Sequence, residues 1–207
     1  MDGFLTRWTD DEEFMTLCHR FNAITGMSNT FENALYGRLY ILRQLAKQKN
    51  KINAKWVECG AHAGMSMFFV ADLCPTEFIG IDSFEGVSEP MEYDTEYFKT
   101  VKLAVPLEPA QKHLSEFKNV NLYKGWIPSV FDELNDSQYS FVHIDVDLYE
   151  PTRDSINYFY PRMVDGGVII CDDYGSYKTI GARKAFLDFF GKENILELPT
   201  GQAIAYK

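Results

Sequence analysis

The sequence predicts an α/β fold in which helices cover both faces of one doubly wound, mostly parallel sheet. From Ala54 onward, short apolar runs alternate with segments of helical periodicity, which is typical of parallel strands joined by right-handed crossovers. Before Ala54, the apolar spacing is helical throughout. With 207 residues the chain is long enough for one domain with a sizeable core. We therefore expect a single domain, in which a helical segment (1–53) packs on a core (54–207).

The N-terminal region contains two rows of apolar residues at helical spacing. These rows are Phe14, Leu17, Phe21 and Ile24, followed by Leu35, Leu39, Leu42 and Leu45. The second row ends near Lys47 and Lys49, whose charges complement the dipole at a helix C-terminus. The aromatic residues Trp8, Phe31 and Tyr36 fit an interface between copies of the chain, and they fit core packing equally well. The sequence therefore leaves open whether the protein forms a homo-oligomer.

Seven short apolar runs after residue 53 are predicted as strands. They are Ala54–Cys59, Glu77–Asp82, Val120–Tyr123, Ser140–Asp145, Gly167–Cys171, Ile195–Leu198 and Gln202–Tyr206. Helical patterns lie between most of them, at Met65–Leu73, Pro109–Phe117, Pro128–Leu134, Thr152–Tyr160 and Lys178–Phe190. Only Pro199, Thr200 and Gly201 separate the last two strands, which is too short for a crossover and predicts an antiparallel pair. Five parallel units that end in such a hairpin are the layout of class I methyltransferases.

Composition and charge narrow the class of partner. The formal net charge is −10, and an acidic surface repels phosphate backbones, so we expect no nucleic acid and no membrane partner. The sequence contains neither an apolar run of about 18 residues nor a basic segment leading into an apolar one near its start. We therefore expect no membrane span and no export signal. The four cysteines form no CxxC pair, which favours a reduced, cytoplasmic protein.

A glycine-containing turn is predicted where the first strand of the core passes into a helix. The run VECGAHAGMS places Glu58, Gly60, Gly64 and Ser66 in the pattern E-x-G-x-x-x-G-x-S. Glycines let a backbone approach a ligand closely, and a helix N-terminus presents free N–H groups. His62 stands where a dinucleotide motif has its second glycine, which disfavours NAD and FAD. A carboxylate at Glu58 suits the sulfonium and ammonium groups of S-adenosylmethionine, whereas the alternative is an ordinary strand–helix turn.

A second cofactor signal lies one β-α unit later. The apolar run Ile79–Asp82 ends in an acid about 20 residues beyond the glycine turn, where a carboxylate can hydrogen-bond ribose hydroxyls. The two signals together predict an adenosine-containing cofactor. Trp126 follows the third strand and could stack on adenine, although a tryptophan in such a position is more often part of the core.

The most informative segment is FVHIDVDLYE, in which an apolar strand leads into two acids. Side chains alternate along a strand, so His143, Asp145 and Asp147 share one direction if the extended geometry persists. The next strand ends in Asp172 and Asp173, and neighbouring strand ends bring these carboxylates together. An oxygen-rich cluster of this kind predicts a site for Mg²⁺, Mn²⁺ or Ca²⁺, with a solvated acidic rim as the alternative. His143 is given no role, because a lone histidine in an apolar strand is more often a core residue.

These motifs resemble those of the macrocin O-methyltransferase (TylF-type) family. The resemblance is carried by the runs VECGAHAGMS, GIDSFEG, YKGWIPSVF, HIDVDLYEPTRDS, YPRMVDGGVIICDDYG and GARKAF. It implies an enzyme that uses S-adenosylmethionine and Mg²⁺ (or Mn²⁺) to methylate a sugar hydroxyl. It also implies Asp145, Asp172 and Asp173 as metal ligands and Asp147 as general base. On an extended chain the Asp145 and Asp147 side chains lie about 6–7 Å apart, which agrees with separate roles.

The resemblance and the glycine turn together give an expected cofactor site. Its residues are Glu58, Gly60, Gly64, Ser66, Asp82, Ser83, Trp126 and Asp145. The expected acceptor is a small molecule or a glycan, and we expect residues 1–53 to contribute to the acceptor pocket or to an oligomer interface. Three other functions stay open at this point: a catechol-type phenol O-methyltransferase, a nucleotide-sugar or NAD enzyme, and a non-catalytic nucleotide- or metal-binding module.

Overall fold

The computed structural model describes residues 7–27 and 33–207, and in this part of the chain it contains one seven-stranded sheet. The strands are β1 (Lys55–Cys59), β2 (Phe78–Asp82), β3 (Val120–Lys124), β4 (Tyr139–Ile144), β5 (Met163–Cys171), β6 (Leu196–Glu197) and β7 (Ala203–Tyr206). Their order across the sheet is β3-β2-β1-β4-β5-β7-β6. Strands β1 to β5 are parallel, and β7 runs antiparallel to both β5 and β6. The predicted fold class and the C-terminal hairpin are confirmed.

The α-helices of the described residues follow the predicted order, but two predicted helices differ in form. The helices are α1 (Glu12–Thr25), α2 (Asn33–Lys49), α3 (Met65–Phe68), α4 (Leu107–His113), α5 (Tyr149–Phe159) and α6 (Ile180–Phe190). The predicted helix 65–73 is α-helical only as far as Phe68, and its last part is a 3₁₀ helix (Ala71–Leu73). The predicted helix 128–134 is a 3₁₀ helix (Ser129–Glu133).

Each face of the sheet has its own hydrophobic core. Side chains alternate along β1, so Trp56 points toward the core that contains α1 and α2, and Val57 points toward the core that contains α5 and α6. Trp8 and Tyr36 are buried in the first core, stacked at 5.6 Å between ring centroids. Core packing therefore accounts for both aromatic residues, whereas Phe31 lies outside the described residues.

The register of the sheet brings three loops to one place. The strand order reverses direction between β1 and β4, and ligands of open α/β sheets bind at this kind of switch point. Past the strand ends, the Asp145 N–H donates to the Cys59 carbonyl at 2.8 Å, and the Asp172 N–H donates to the Ile144 carbonyl at 2.9 Å. These bonds hold the loops after β1, β4 and β5 side by side. Separately, none of the described helices has the length and apolar character needed to cross a membrane.

Candidate active site

A cavity of about 470 Å³ opens at the carboxyl ends of the parallel strands. It is lined by most of the predicted site residues: Gly60, Ser66, Asp82, Ser83, Trp126, Asp145, Asp147, Asp172 and Asp173. Two predicted residues, Glu58 and Gly64, are outside this lining. Glu58 is only 1% exposed and lies behind Ser66, whose hydroxyl donates a hydrogen bond to it. The structure therefore brings the residues predicted for the cofactor and for the metal together at one cavity. Glu58 lies one layer deeper than expected.

The glycine turn is tight because other parts of the chain pack against it. Gly60 has a φ of 95°, and a Cβ atom there would lie 1.7 Å from the Asp145 carbonyl oxygen. Gly64 has a φ of 79° and begins α3, and its Cβ would lie 2.8 Å from the side chain of Leu114. Both positions favour glycine by their conformation, and Gly60 also requires it for space, because the obstructing atom there is a main-chain oxygen. Gly60 thus brings the loop after β1 into direct contact with the loop that carries the first acid.

Asp82 organises the turn after β2, on the side of the cavity where the cofactor is predicted to bind (the cofactor side). Its two carboxylate oxygens accept hydrogen bonds from the main-chain N–H groups of His62, at 2.8 Å, and Phe84, at 2.7 Å. A carboxylate oxygen has two lone pairs, so each oxygen keeps acceptor capacity toward the cavity. The neighbouring Ser83 hydroxyl donates to the Gly86 carbonyl at 2.7 Å and fixes the loop that follows.

Trp126 lies at the mouth of the cavity rather than in the core. Its side chain lines the cavity and is 41% exposed. The alternative of a core tryptophan is therefore wrong at this position, because the turn after β3 carries the ring outward while Val130 and Phe131 are buried instead. An exposed indole beside a cavity offers a flat apolar surface to a planar ligand group.

The acids of the other side form a compact, buried cluster. Ligand atoms of His143, Asp145 and Asp172 all lie within 4.8 Å of one another. Asp173 is outside this group, and its Oδ2 accepts a hydrogen bond from the Asp147 N–H at 2.9 Å. The geometric group therefore differs from the expected ligand set by one residue, with His143 in the place of Asp173.

The side chain of Asp147 does not continue the row expected for His143, Asp145 and Asp147 on one face of the strand. Its φ is 63°, a left-handed conformation that costs energy for a residue with a side chain, so the extended geometry ends before it. The expectation that His143, Asp145 and Asp147 point in one direction is wrong for Asp147. The turn nevertheless leaves Asp147 in the cavity lining, separate from the cluster of His143, Asp145 and Asp172.

Burial and mutual repulsion raise the pKa of the carboxyl groups. Burial, followed by the charge of Asp173, raises the pKa of Asp145 well above its ordinary value and that of Asp147 to about 7. Burial also raises the pKa of Asp173. For His143, burial lowers the pKa, but the Glu58 and Asp145 carboxylates outweigh it and raise the pKa overall. The folded chain thus crowds carboxylates together with less positive charge than they require.

Two polar residues around the cluster, Arg38 and Gln202, were missed by the sequence prediction, and a third, His143, was given no role. The Arg38 guanidinium of α2 contacts the Asp172 carboxylate and its main-chain carbonyl, and Gln202 Nε2 donates to Asp172 Oδ1 at 2.7 Å. His143 Nε2 lies 3.3 Å from the same oxygen. Arg38 has no local signal in the sequence, because helix docking determines where it lies. Gln202 directly precedes the last strand, so a predicted β5–β7 pairing would have brought it to the end of β5.

The fold and the site together define the class: an open sheet of class I methyltransferase order, with a cavity at its switch point between a glycine turn and an acidic cluster. Residues 36–201 match the macrocin-O-methyltransferase (TylF) family. The chain belongs to this family, as the sequence motifs predict.

Relatives and solved structures agree with this assignment. The chain is 28% identical over 125 residues to 8-demethyl-8-(2,3-dimethoxy-alpha-L-rhamnosyl)-tetracenomycin-C 4'-O-methyltransferase of Streptomyces olivaceus, covering 55% of this chain and 47% of that one. It is 27% identical over 106 residues to mycinamicin III 3''-O-methyltransferase of Micromonospora griseorubida, covering 45% and 42%. The chain thus spans about half the length of these relatives. The O-methyltransferase NovP shares the fold, with a TM-score of 0.66, 20% identity and coverage of 82% and 79%.

Proposed function

We propose that this protein transfers a methyl group from S-adenosylmethionine to a hydroxyl of a sugar or glycoside, assisted by a divalent cation. The observation that carries the proposal is the meeting of two unlike half-sites in one cavity. One half is the turn organised by Asp82, and the other is the buried cluster around Asp145. The named activities of the two curated relatives, one on a rhamnosyl group, support a sugar-type acceptor.

The cofactor half supplies the contacts that an adenosine group needs. The free lone pairs of Asp82 accept hydrogen bonds from ribose hydroxyls, and Trp126 offers its exposed ring to the adenine. Ser66 lines the cavity, and its hydroxyl is held by Glu58 from one layer deeper. S-adenosylmethionine brings a methyl group that is already activated by its sulfonium, so the chain has to orient the reactants rather than activate the donor.

The acidic half suits a small, hard cation. Asp145 and Asp172 would hold it, with Asp173 close behind, because carboxylate oxygens are the ligands that Mg²⁺ and Mn²⁺ prefer. The raised pKa of Asp145 and Asp173 supports this assignment, since crowded carboxylates gain most from a positive charge. When bound, the cation would polarise the acceptor hydroxyl and lower its pKa.

Asp147 is proposed as the general base. Its left-handed turn separates it from the cluster while keeping it in the cavity lining, and the bond from its N–H to Asp173 fixes the turn. A base must reach the acceptor oxygen without being tied up in ligation, and Asp147 meets that condition better than Asp145 does. Asp147 would take the hydroxyl proton as the acceptor oxygen attacks the methyl carbon, while the methyl–sulfur bond breaks and its electron pair leaves with S-adenosylhomocysteine.

The acceptor is proposed to lie against the N-terminal helices. One wall of the cavity is formed by α2, through Leu35, Arg38, Leu39 and Leu42. This wall supports a role of residues 1–53 in acceptor binding. Arg38 is the only lysine or arginine in the lining of the described cavity, and Asp172 already engages it, so a neutral glycoside suits the pocket better than an anionic sugar.

The location of the protein in the cell is part of the same proposal. All four cysteines are buried and unpaired, which agrees with the reducing conditions of the cytoplasm. Relatives that act on small-molecule glycosides support a small-molecule acceptor rather than a nucleic acid or a membrane.

An acceptor screen tests the proposal directly. Labelled S-adenosylmethionine and Mg²⁺ are supplied with neutral glycosides, nucleotide sugars, catechols and phenols, and methylated products are identified by mass spectrometry. We expect transfer to a sugar hydroxyl that has a second hydroxyl beside it. Methylation of catechols alone would replace the sugar acceptor by a phenol. A thermal-shift titration with S-adenosylhomocysteine, NADH and UDP-glucose is run in parallel. Stabilisation by NADH alone would contradict the assignment of S-adenosylmethionine as the cofactor.

A further inference from the structure

Three buried polar side chains form a row at the floor of the cavity, where His143 and Asp172 belong to the lining and Glu58 lies behind it. Glu58 on β1 and His143 on β4 are direct register partners, and His143 pairs in turn with Ile170 on β5. Asp172 follows Ile170 by two positions and therefore projects from the same face of the sheet. Glu58 and His143 are each 1% exposed and Asp172 is 8% exposed. The row thus crosses the switch point of the sheet, from the cofactor strand to the strand that precedes the acids.

The central imidazole contacts a carboxylate on each side. His143 Nδ1 lies 3.1 Å from Glu58 Oε2, and His143 Nε2 lies 3.3 Å from Asp172 Oδ1. The first contact has ion-pair distance without the alignment of a hydrogen bond, so Nδ1 has no hydrogen-bond partner among the described residues. His143 is therefore held between two acids rather than satisfied as an ordinary core histidine.

Each end of the row reaches a different half of the cavity. Glu58 Oε1 accepts the hydrogen bond of Ser66, a residue of the cavity lining beside the glycine turn. Asp172 belongs to the acid cluster and also accepts from Gln202. Outside the row, the turn of Asp82 and the acid cluster have no shared side-chain hydrogen bond among those of the described residues. The row is the side-chain connection between the two halves.

We propose that His143 is a positioning residue that couples the two half-sites, so that a divalent cation at the acid cluster tightens binding of the cofactor. This inference rests on the proposed function. A cation at Asp172 takes over part of the charge that now faces the imidazole. The imidazole is then held more strongly by Glu58, which fixes Ser66 at the cavity wall. Buried charges respond strongly to such changes because little water screens them.

Two conservative variants separate the two contacts of the imidazole. The amide nitrogen of asparagine can replace Nδ1, and that of glutamine can replace Nε2. His143→Asn therefore keeps the contact with Glu58 and loses the contact with Asp172, whereas His143→Gln does the reverse. Ser140→Ala is the matched control, because Ser140 is buried on the same strand and accepts a hydrogen bond from Trp56 away from the cavity.

The test measures the dissociation constant of S-adenosylhomocysteine by calorimetry with and without saturating Mg²⁺, and that of Mg²⁺ with the nucleoside absent. In the unmodified protein we expect Mg²⁺ to tighten S-adenosylhomocysteine binding about fivefold or more. The Ser140→Ala variant should keep this factor. Both His143 variants should lose it, with the asparagine variant weaker mainly for Mg²⁺ and the glutamine variant weaker mainly for S-adenosylhomocysteine.

The outcomes distinguish this inference from the proposed function. If the unmodified protein binds no S-adenosylhomocysteine, the proposed function fails before the coupling is tested. If it binds both ligands without any effect of one on the other, the coupling is refuted. If the factor survives in both His143 variants, it acts through space and not through His143. If both variants lose only Mg²⁺ affinity, His143 is a metal ligand and not a positioning residue.

Discussion

The two sides of the cavity differ in how completely the chain satisfies its own polar groups. On the cofactor side, both oxygens of Asp82 accept main-chain N–H groups, and Ser83 is bonded to its own loop. On the acid side, Asp145, Asp147 and Asp173 are crowded and have raised pKa values, and Arg38 engages only Asp172 among the clustered acids. The polar groups of the cofactor side are satisfied by the folded chain itself, whereas the carboxylates of the acid side lack enough positive charge around them.

This difference indicates how each side responds to its ligand. A preorganised turn gains affinity without rearrangement, so its residues should affect binding but little else. A cluster of buried like charges weakens the folded state, and the proposed cation would offset this cost, so the residues of the cluster should affect both cation binding and stability. The following predictions break or sharpen the comparison, from the largest expected effect to the smallest.

Asp147→Asn tests whether the acid side contains a base in addition to ligands. We expect kcat to fall roughly 10²–10⁴-fold, the usual contribution of a general base, with little change in S-adenosylhomocysteine affinity. Steady-state kinetics with saturating Mg²⁺ measure the effect. Asp165→Asn, at an exposed position of β5, is the control and should leave kcat unchanged. Recovery of activity at high Mg²⁺ would make Asp147 a ligand.

Mg²⁺ should stabilise the protein through the acid side. At 100 times its dissociation constant, a ligand that binds only the folded state raises the free energy of unfolding by about 2.7 kcal/mol, or about 5–10 °C in melting temperature at this chain length. Asp145→Asn should abolish this response. It should also raise the melting temperature of the metal-free protein, because it removes one buried charge from the cluster. Asp136→Asn, at an exposed loop position, should do neither.

Asp82→Ala tests the completeness of the cofactor side. We expect S-adenosylhomocysteine to bind more weakly by about 1–3 kcal/mol, which is about 5- to 150-fold. Asp82→Asn should lose less, because its carbonyl oxygen still accepts one of the two main-chain N–H groups. Calorimetry measures the affinity, and thermal melting checks that the turn is intact. Equal affinity in all three proteins would remove Asp82 from the cofactor site.

Substitution of Trp126 should have the smallest effect on S-adenosylhomocysteine affinity, because this residue lies at the rim of the cavity. Trp126→Ala should weaken S-adenosylhomocysteine binding by about 0.5–1.5 kcal/mol, and Trp126→Phe should restore most of the loss by keeping an aromatic face. The same titrations measure it. An alanine variant that binds normally, yet has a raised KM for the glycoside, would assign the ring to the acceptor instead.

The sequence predicts the strands and the sheet well, because their signals are local and repeated. Apolar runs mark all five parallel strands, and the short link at Pro199–Gly201 determines the hairpin. The position of Asp82 and the acid pairs at the ends of β4 and β5 follows from strand ends alone. The family motifs add the expected roles, and the family itself is confirmed.

What the sequence does not predict depends on contacts between distant segments. The left-handed turn at Asp147 is closed locally by the Leu148 N–H, which donates to the Val146 carbonyl, but it also depends on Asp173, 26 positions later. Glu58 is predicted from the sequence to face the positive groups of the cofactor, but the register with His143 buries it one layer below the cavity. Arg38 reaches Asp172 across 134 positions, which depends on the docking of α2. None of these three features leaves a pattern within a window of neighbouring residues.

If the acceptor binds against α2 as proposed, the wall formed by this helix separates recognition from chemistry along the chain. Leu35, Leu39 and Leu42 line the cavity from one helical face, and none of them contributes a group to the cofactor turn or the acid cluster. Leu39 and Leu42 also belong to the buried core, whereas Leu35 is half-buried. Leu35 is therefore the position at which a substitution would reshape the proposed acceptor pocket with the least effect on packing, and Arg38, on the same helix, marks the boundary beyond which such changes would disturb the acids.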